Sequence, residues 1–408
     1  MSISKIILNA KGEQDNYLSS NSQHTHFKNN ITTHTNFSKI LVEIEPNRIQ
    51  NEDTTINFGE TIDFSIDKSS NLLLNVTVRF TLEKWHNPKN IVPETLFGLI
   101  DYIEIVSNDR VLQRLSGTWM YIHYLMYVNK TKSDSRHVFE ASRVSNQTQT
   151  SDNEYVLYLP IPFWFTKEYS SALPIFAMCY EKISINLKLK NFDEITKNGI
   201  PSDYIIRETK LLCEFAEVES YEKEQFLNNS LEYLIEQIEY YGPNKINNSQ
   251  SYRTKIAIDN HYLVKEIIWI CKEKNPDNIN NYFNFWLNND SVHKNDHFKY
   301  GSILLNGRVL NPKFPASYYR LIQRNQHYKS DFQVNEEFKS NCIYSYSFNL
   351  NPDEIKSSGF LSFNKYNNVH LDLQMTSLTN TKERELFVFV KRFNIIRIKN
   401  GQMNILAN

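Results

Sequence analysis

Glycine is scarce in this 408-residue chain, at 10 residues, and alanine is scarce with it, so the sequence is poor in the residues that favour helices and close backbone contacts. The four cysteines, Cys179, Cys213, Cys271 and Cys342, lie far apart without C-x-x-C spacing. That excludes a written zinc site or disulfide framework and predicts reduced, mostly buried thiols. No run of about 18 apolar residues occurs, and the opening MSISKIILNAKGEQD lacks the apolar centre of a secretory signal, so a soluble protein made and kept in the cytoplasm is expected. Excess charge is missing too. Lys plus Arg total 45 against 46 Asp plus Glu, which leaves no field to attract nucleic acid or an anionic membrane. A Gly-rich phosphate loop, G-x-S-x-G and H-E-x-x-H are all absent, so no catalytic residue and no cofactor is assigned. His24, His26 and His34 include a His-x-His, but Phe27-Lys28-Asn29-Asn30 supplies no following Glu, and no metal is expected there.

Aromatic residues are plentiful, with 24 Tyr and 25 Phe, and they suit a pleated surface. The central stretch, Tyr155 to Leu189, shows the pattern best. Tyr155, Leu157 and Leu159 alternate, and Ile183, Ile185, Leu187 and Leu189 keep strict period two. Two half-buried strands therefore flank an aromatic corner punctuated by Pro160, Pro162 and Pro174. Upstream, strands are predicted over 40–44, 62–67, 72–82, 99–106 and 110–112, with a turn at Asn108-Asp109 and a helix over Ser116 to Val128. Residues 129–153 and 272–300 read as long polar loops. The sequons at Asn129, Asn146 and Asn289 are read as chance in an Asn-rich chain.

Three collinear echoes indicate a duplicated domain. Ile62–Asp67 is repeated by Thr254–Asp259, offset by 192 residues. Asn108-Asp109-Arg110-Val111-Leu112 is repeated by Asn306-Gly307-Arg308-Val309-Leu310, offset by 198, and Tyr180–Leu187 by Tyr366–Leu373, offset by 186. Each half carries many short strands and little helix, which suits a β-sandwich or jelly roll. The junction is expected near Tyr221–Phe226, ahead of a strand from Glu232 to Tyr240.

Specific residues then resemble one family. The polar arm carries Gly12, Gln14, Asp15, Tyr17 and Leu18, then Phe27-Lys28, then His34, Thr35, Asn36 and Phe37. The corner reads Pro162-Phe163-Trp164-Phe165 and Ser171-Ala172-Leu173-Pro174; later come Lys265-Glu266-Ile267-Ile268-Trp269, Tyr344–Phe348 and Asn351–Glu354. The end reads Phe393-Asn394-Ile395-Ile396-Arg397-Ile398 with Gly401-Gln402-Met403. In number and order these are similar to the major capsid proteins of the nucleocytoplasmic large DNA viruses, with departures at Glu13, Ser22 and Gln402.

The resemblance implies an all-β fold of two tandem eight-stranded jelly rolls, with a few short helices in loops. It divides the chain into an arm at 1–38, one roll at 39–225 and another at 226–408. It implies a structural viral capsid protein rather than an enzyme, a homotrimer that tiles an icosahedral shell around an internal membrane and genome. Its partners would be neighbouring capsomers, minor capsid proteins and an inner membrane layer, with no direct nucleic acid contact. The place would be the virion, assembled in host cytoplasm. Two alternatives stay open: a double jelly-roll scaffold shed from the mature particle, and a carbohydrate-binding β-sandwich protein.

Overall fold

The structure is a computed structural model. It describes all residues except 1–2, 11, 23–24, 28, 30–32, 48–54, 68–70, 86–89, 128–141, 146–147, 152–153, 198, 200, 247–252, 260, 275, 277, 291–292, 329–341, 377–382 and 407–408, and leaves the side chains of 288–290 and 293–295 undescribed. Two compact units emerge, Met1–Asn36 and Phe37–Asn408. The first holds two helices, α1 (Ile3–Asn9) and α2 (Glu13–Ser19), with every described residue exposed. The arm shows no helical period in the sequence, yet α2 forms there. The Asp15 carboxylate accepts a hydrogen bond from the Gly12 N–H at 3.0 Å, and Glu13 and Asp15 place negative charge in the first turn.

In the second unit the alternating stretches become strands. The chain runs through β1 (Phe37–Ile44), β2 (Thr61–Ser65), β3 (Leu72–Glu83), β4 (Ile100–Ser107) and β5 (Arg110–Ser116). It continues with β6 (Gln149–Ser151), β7 (Glu154–Pro160), β8 (Leu173–Pro174), β9 (Ile183–Leu189) and β10 (Ile205–Val218). The second half runs through β11 (Leu231–Ile246), β12 (Arg253–Ile258), β13 (Leu263–Glu273), β14 (Leu287–Asp290), β15 (His293–Asn295) and β16 (Phe298–Leu305). It closes with β17 (Arg308–Val309), β18 (Phe314–Pro315), β19 (Ile343–Ser347), β20 (Leu361–Ser362), β21 (Val369–Met375), β22 (Arg384–Lys399) and β23 (Gln402–Ile405).

These strands build two jelly rolls of identical order. In the first, sheet I runs β1-β10-β3-β7 and sheet II runs β2-β9-β4-β5; in the second, sheet III runs β11-β22-β13-β19 and sheet IV runs β12-β21-β16-β17. Of the remaining strands, β14 and β15 form a two-stranded sheet of their own and the others extend these cores, β8 pairing with β3 as β20 pairs with β13. The likeness reaches single residues. Leu74 bulges between the pairs Leu73–Phe215 and Asn75–Glu214, and Lys265 bulges between Val264–Arg392 and Glu266–Lys391. All three sequence echoes fall on sheets II and IV. Their hairpin turns match as well, with positive φ at Asn108 and Asp109 and at Asn306 and Gly307.

Helices fill the connections: α3 (Thr95–Leu99), α4 (Gly117–Tyr127), α5 (Phe192–Ile195), α6 (Ser220–Asn228) and α7 (Gln323–His327), the last preceded by a π-helical turn at Tyr318–Ile322. The charged junction Tyr221–Phe226 is thus the body of α6. The stretch 272–300 departs from its reading as a polar loop, because Phe283, Phe285 and Leu287 turn inward and are buried. Their spacing of two was masked by the surrounding Asn residues. Most of 129–153, including Asn129 and Asn146, lies outside the described residues. Among the described residues, no helix is long and apolar enough to cross a membrane.

Candidate functional site: the seam between the rolls

Sheet III has apolar residues on both faces. Its inner face, with Ile267, Trp269, Val388 and Val390, packs in the core of the second roll. Its outer face, with Ile268, Ile270, Ile343, Phe387 and Phe389, joins the core of the first roll instead. A strand covered on both sides reads as a near-continuous apolar run, as β13 and β22 do. Helix α4 lies over this outer face. The Trp119 ring sits 5.3 Å from that of Phe389, and Tyr121 stacks on Phe283 at 4.4 Å.

Side chains, rather than a shared ladder, bond the rolls. Gln113 of β5 donates to the Glu236 carbonyl at 2.9 Å, while Gln237 donates to the Leu112 carbonyl at 2.7 Å. Asn394 of β22 donates to the Gln237 side chain at 2.9 Å, and Gln113 accepts from the Trp164 N–H at 3.0 Å. The corner is held in turn by its own rings, Phe163 stacked on Phe165 at 5.5 Å and Trp164 edge-on to Phe165 at 5.2 Å. Below it, the Tyr124 hydroxyl donates to the Pro160 carbonyl at 2.6 Å.

A buried charge cluster lies at the centre. The ammonium groups of Lys167, from the first roll, and Lys265, from the second, donate to the Glu236 carboxylate. Lys391 lies 3.1 Å from Glu266 and 3.6 Å from Glu236. Glu266 also accepts from the Tyr127 and Tyr328 hydroxyls, one from each roll. Burial pushes the Glu236 carboxyl upward, but Lys167, Lys391 and Lys265 together hold it well below the usual carboxylate range. Burial, reinforced by Lys391, pulls Lys265 down to about 8 against the opposing pull of Glu236. Burial also keeps His123 neutral, with Lys167 and Lys391 acting the same way. Two carboxylates thus serve three ammonium groups, those of Lys265 and Lys391 fully buried and that of Lys167 partly so. Such a cluster selects one relative orientation of the groups around it, because any other leaves a buried charge unpaired.

At the far end, the β22–β23 turn meets the first roll. Gly401 has φ of 78°, and a Cβ there would lie 2.4 Å from the Cys179 sulfur. Its carbonyl accepts from the Tyr180 N–H at 3.1 Å, and Met403 donates its N–H to Glu181 at 3.1 Å. Glycine is required by both conformation and space.

Of the residues singled out in the sequence, Pro162, Phe163, Trp164, Asn394 and Gly401 therefore gather at or beside this seam. Pro174 pairs with Leu72 in β8, Trp269 is buried inside the second roll against Tyr319 and Tyr344, and Arg397 pairs with Glu232 at the surface. Gln14, Asp15 and Tyr17 lie on α2; His34 bonds to the Thr35 carbonyl at 2.8 Å, Asn36 is exposed, and Phe37 opens β1 opposite Val218. His24 and Lys28 lie outside the described residues, and among those described no group of three or more His, Cys, Asp or Glu could hold a metal ion. None of the four cysteines is in a disulfide; Cys179 is exposed, and burial pushes Cys213, Cys271 and Cys342 up to about 12. Sequence reading missed the roles of Lys167, Glu236 and Lys391, and named Lys265 and Glu266 only through resemblance. The available signal was charge embedded in apolar runs, VKEIIWIC and FVFVKRFN.

Comparison with known proteins places this arrangement. The family model described as major capsid protein N-terminus matches residues 25–210, and that of the large eukaryotic DNA virus major capsid protein matches 222–404. The chain is 26% identical over 412 residues to the major capsid protein of Pyramimonas orientalis virus, covering 96% of each. It is 24% identical over 311 residues to that of Phaeocystis pouchetii virus, covering 64% of this chain and 57% of that one. Among solved structures, the PBCV-1 virus capsid shares the fold with a TM-score of 0.78 at 18% identity, over 94% of this chain and 100% of that one.

Proposed function

The chain belongs to the family of large eukaryotic DNA virus major capsid proteins, and from that premise we propose that three copies close into one capsomer of pseudo-sixfold outline. Its place is the virion capsid, and its role is structural. The observation that carries the reading is the seam: two rolls of identical strand order are joined at one orientation by buried charge and apolar packing. Three such chains present six like rolls, and symmetry multiplies each contact between them.

In this reading capsomers tile an icosahedral shell around the internal membrane and genome, and meet minor capsid proteins without touching nucleic acid. Assembly takes place in the host cytoplasm. Residues 39–225 and 226–408 are the two structural domains, and the arm, 1–38, locks neighbouring subunits or meets the inner layer through Gln14, Asp15 and Tyr17. Pro162, Phe163, Trp164, Asn394 and Gly401 hold the two rolls together, Pro174 and Trp269 shape each roll, and Arg397 pins β22 to β11. Light scattering on a sizing column tests the oligomer. A stable species of three 48.2 kDa chains is expected; a monomer across a wide concentration range would overturn the reading.

A further inference from the structure

The outer face of sheet IV carries a small polar cavity that its twin in sheet II fills from within. Strand register sets it out in rows. Arg253, Gln374 and Tyr300 stand side by side on β12, β21 and β16, and the next row on the same face is Lys255, Asp372 and Ser302. With Lys313, which lies between β17 and β18, the residues Arg253, Tyr300, Ser302, Asp372 and Gln374 line a cavity of about 210 Å³. Asp372 is 3% exposed, and its carboxylate accepts from Nε and Nη2 of Arg253. Each of its oxygens keeps capacity for a further donor. The Ser302 hydroxyl, in a residue 1% exposed, has no hydrogen-bond partner among the described residues, and a buried hydroxyl left so is costly.

The duplication supplies an internal control. The offsets of 186 and 198 equate Asp372 with Asn186, Tyr300 with Tyr102 and Ser302 with Glu104. The pairs Tyr102–Lys188 and Glu104–Asn186 accordingly repeat Tyr300–Gln374 and Ser302–Asp372. In the first roll Arg114 lies over the Tyr102 ring at 4.5 Å and donates to Glu104 at 2.6 Å, while Asn186 donates to Glu104 at 3.3 Å. In the second roll the same offset puts Pro312 where Arg114 stands, and Tyr300 is 46% exposed.

The groups left open select a ligand. Two cations, Arg253 and Lys313, stand against one carboxylate, so the cavity favours an anion. Asp372 opposes a small bare anion and calls for hydroxyl donors beside it. A sugar acid meets both demands. Its carboxylate suits Lys313 and the N–H groups of Arg253 that Asp372 does not use, its hydroxyls suit Asp372, Ser302 and Gln374, and its C–H face suits the Tyr300 ring. The volume lies below the roughly 300–1,000 Å³ of drug-sized sites, which favours one ring over an oligosaccharide. We propose that this cavity binds a single hexuronate residue of a glycan. The site does not depend on how copies join; in a shell, repetition adds avidity to a weak single-site affinity.

Ligand-observed NMR on the full chain, with methyl β-D-glucuronide as the probe, tests the proposal. A Kd on the order of 1 mM is expected, with methyl β-D-glucoside and acetate each at least about tenfold weaker. Tyr300→Ala and Lys313→Ala, both at exposed positions, should each weaken glucuronide binding about tenfold with the melting temperature unchanged. Lys313→Ala should also bring the glucuronide down to the level of the glucoside. Acetate that binds as tightly as the glucuronide marks a general cationic patch and overturns the sugar site, as does glucuronide binding that neither substitution alters. A wild-type chain to which the glucuronide does not bind overturns the proposal outright, while the trimer, read separately by light scattering, is untouched by any of these results.

Discussion

Glu236 shows how much one side chain decides here. It is 1% exposed and faces Lys167, Lys265 and Lys391, so Glu236→Gln would take the carboxylate partner from Lys167 and Lys265 and leave Lys391 with Glu266 alone. Removing one partner of a buried pair costs about 3–5 kcal/mol, and denaturant unfolding should show a loss of that order. The sign of its pH dependence follows from its lowered value. An unfolded glutamate titrates near about 4.3, so the carboxylate's contribution is complete above that pH and is lost progressively below it. The stability gap between wild type and Glu236→Gln should therefore narrow as pH falls through about 4; a gap that stays constant down to pH 2 would contradict the assignment. None of this was legible in the chain, since Glu236 sits in LEYLIEQIEY, where it looks like an outward residue of an alternating strand.

Single elements were more legible, and for a physical reason. Both hairpin turns need two consecutive residues at positive φ, and few residue types accept that conformation, so the turns kept the echo Asn-Asp-Arg-Val-Leu and Asn-Gly-Arg-Val-Leu. Gly307 allows a clean measurement. Its φ is 77° and nothing lies within 4 Å of a Cβ built there, so substitution costs backbone conformation alone. Gly307→Val should destabilise by about 1–2 kcal/mol, and Gly307→Asn by well under 1, as thermal melts would record. Sheets I and III, by contrast, carry no echo, although their bulges coincide. The outer face of one is ionic and that of the other is buried, so the same backbone selects Arg79 and Lys210 in one roll and Ile270 and Phe387 in the other. Helix α2 was illegible because its N-terminal bond, not an apolar face, organises it.

At the scale of the molecule, the first roll's core continues into the outer face of sheet III, which makes the rolls one cooperative body rather than two beads. Calorimetry should show a single transition for residues 37–408, with equal calorimetric and van't Hoff enthalpies. Trp119→Ala, which removes the ring packed on Phe389, should lower that one transition by about 3–5 kcal/mol of stability. Two transitions, only one of them moved by the substitution, would show that the seam does not couple the rolls.

The sequence by itself determined the class of fold and its duplication, because alternation and turn chemistry are local and each strand states its own period. It also carried the family, through the order of short motifs spread from Gly12 to Leu406. Only the tertiary structure decided what those motifs do. Trp164, Asn394 and Gly401 stand far apart in the chain and acquire a common role when sheet III turns its second apolar face toward α4. Which face of a strand is covered, and by which roll, depends on packing across some two hundred residues, and no local pattern records it.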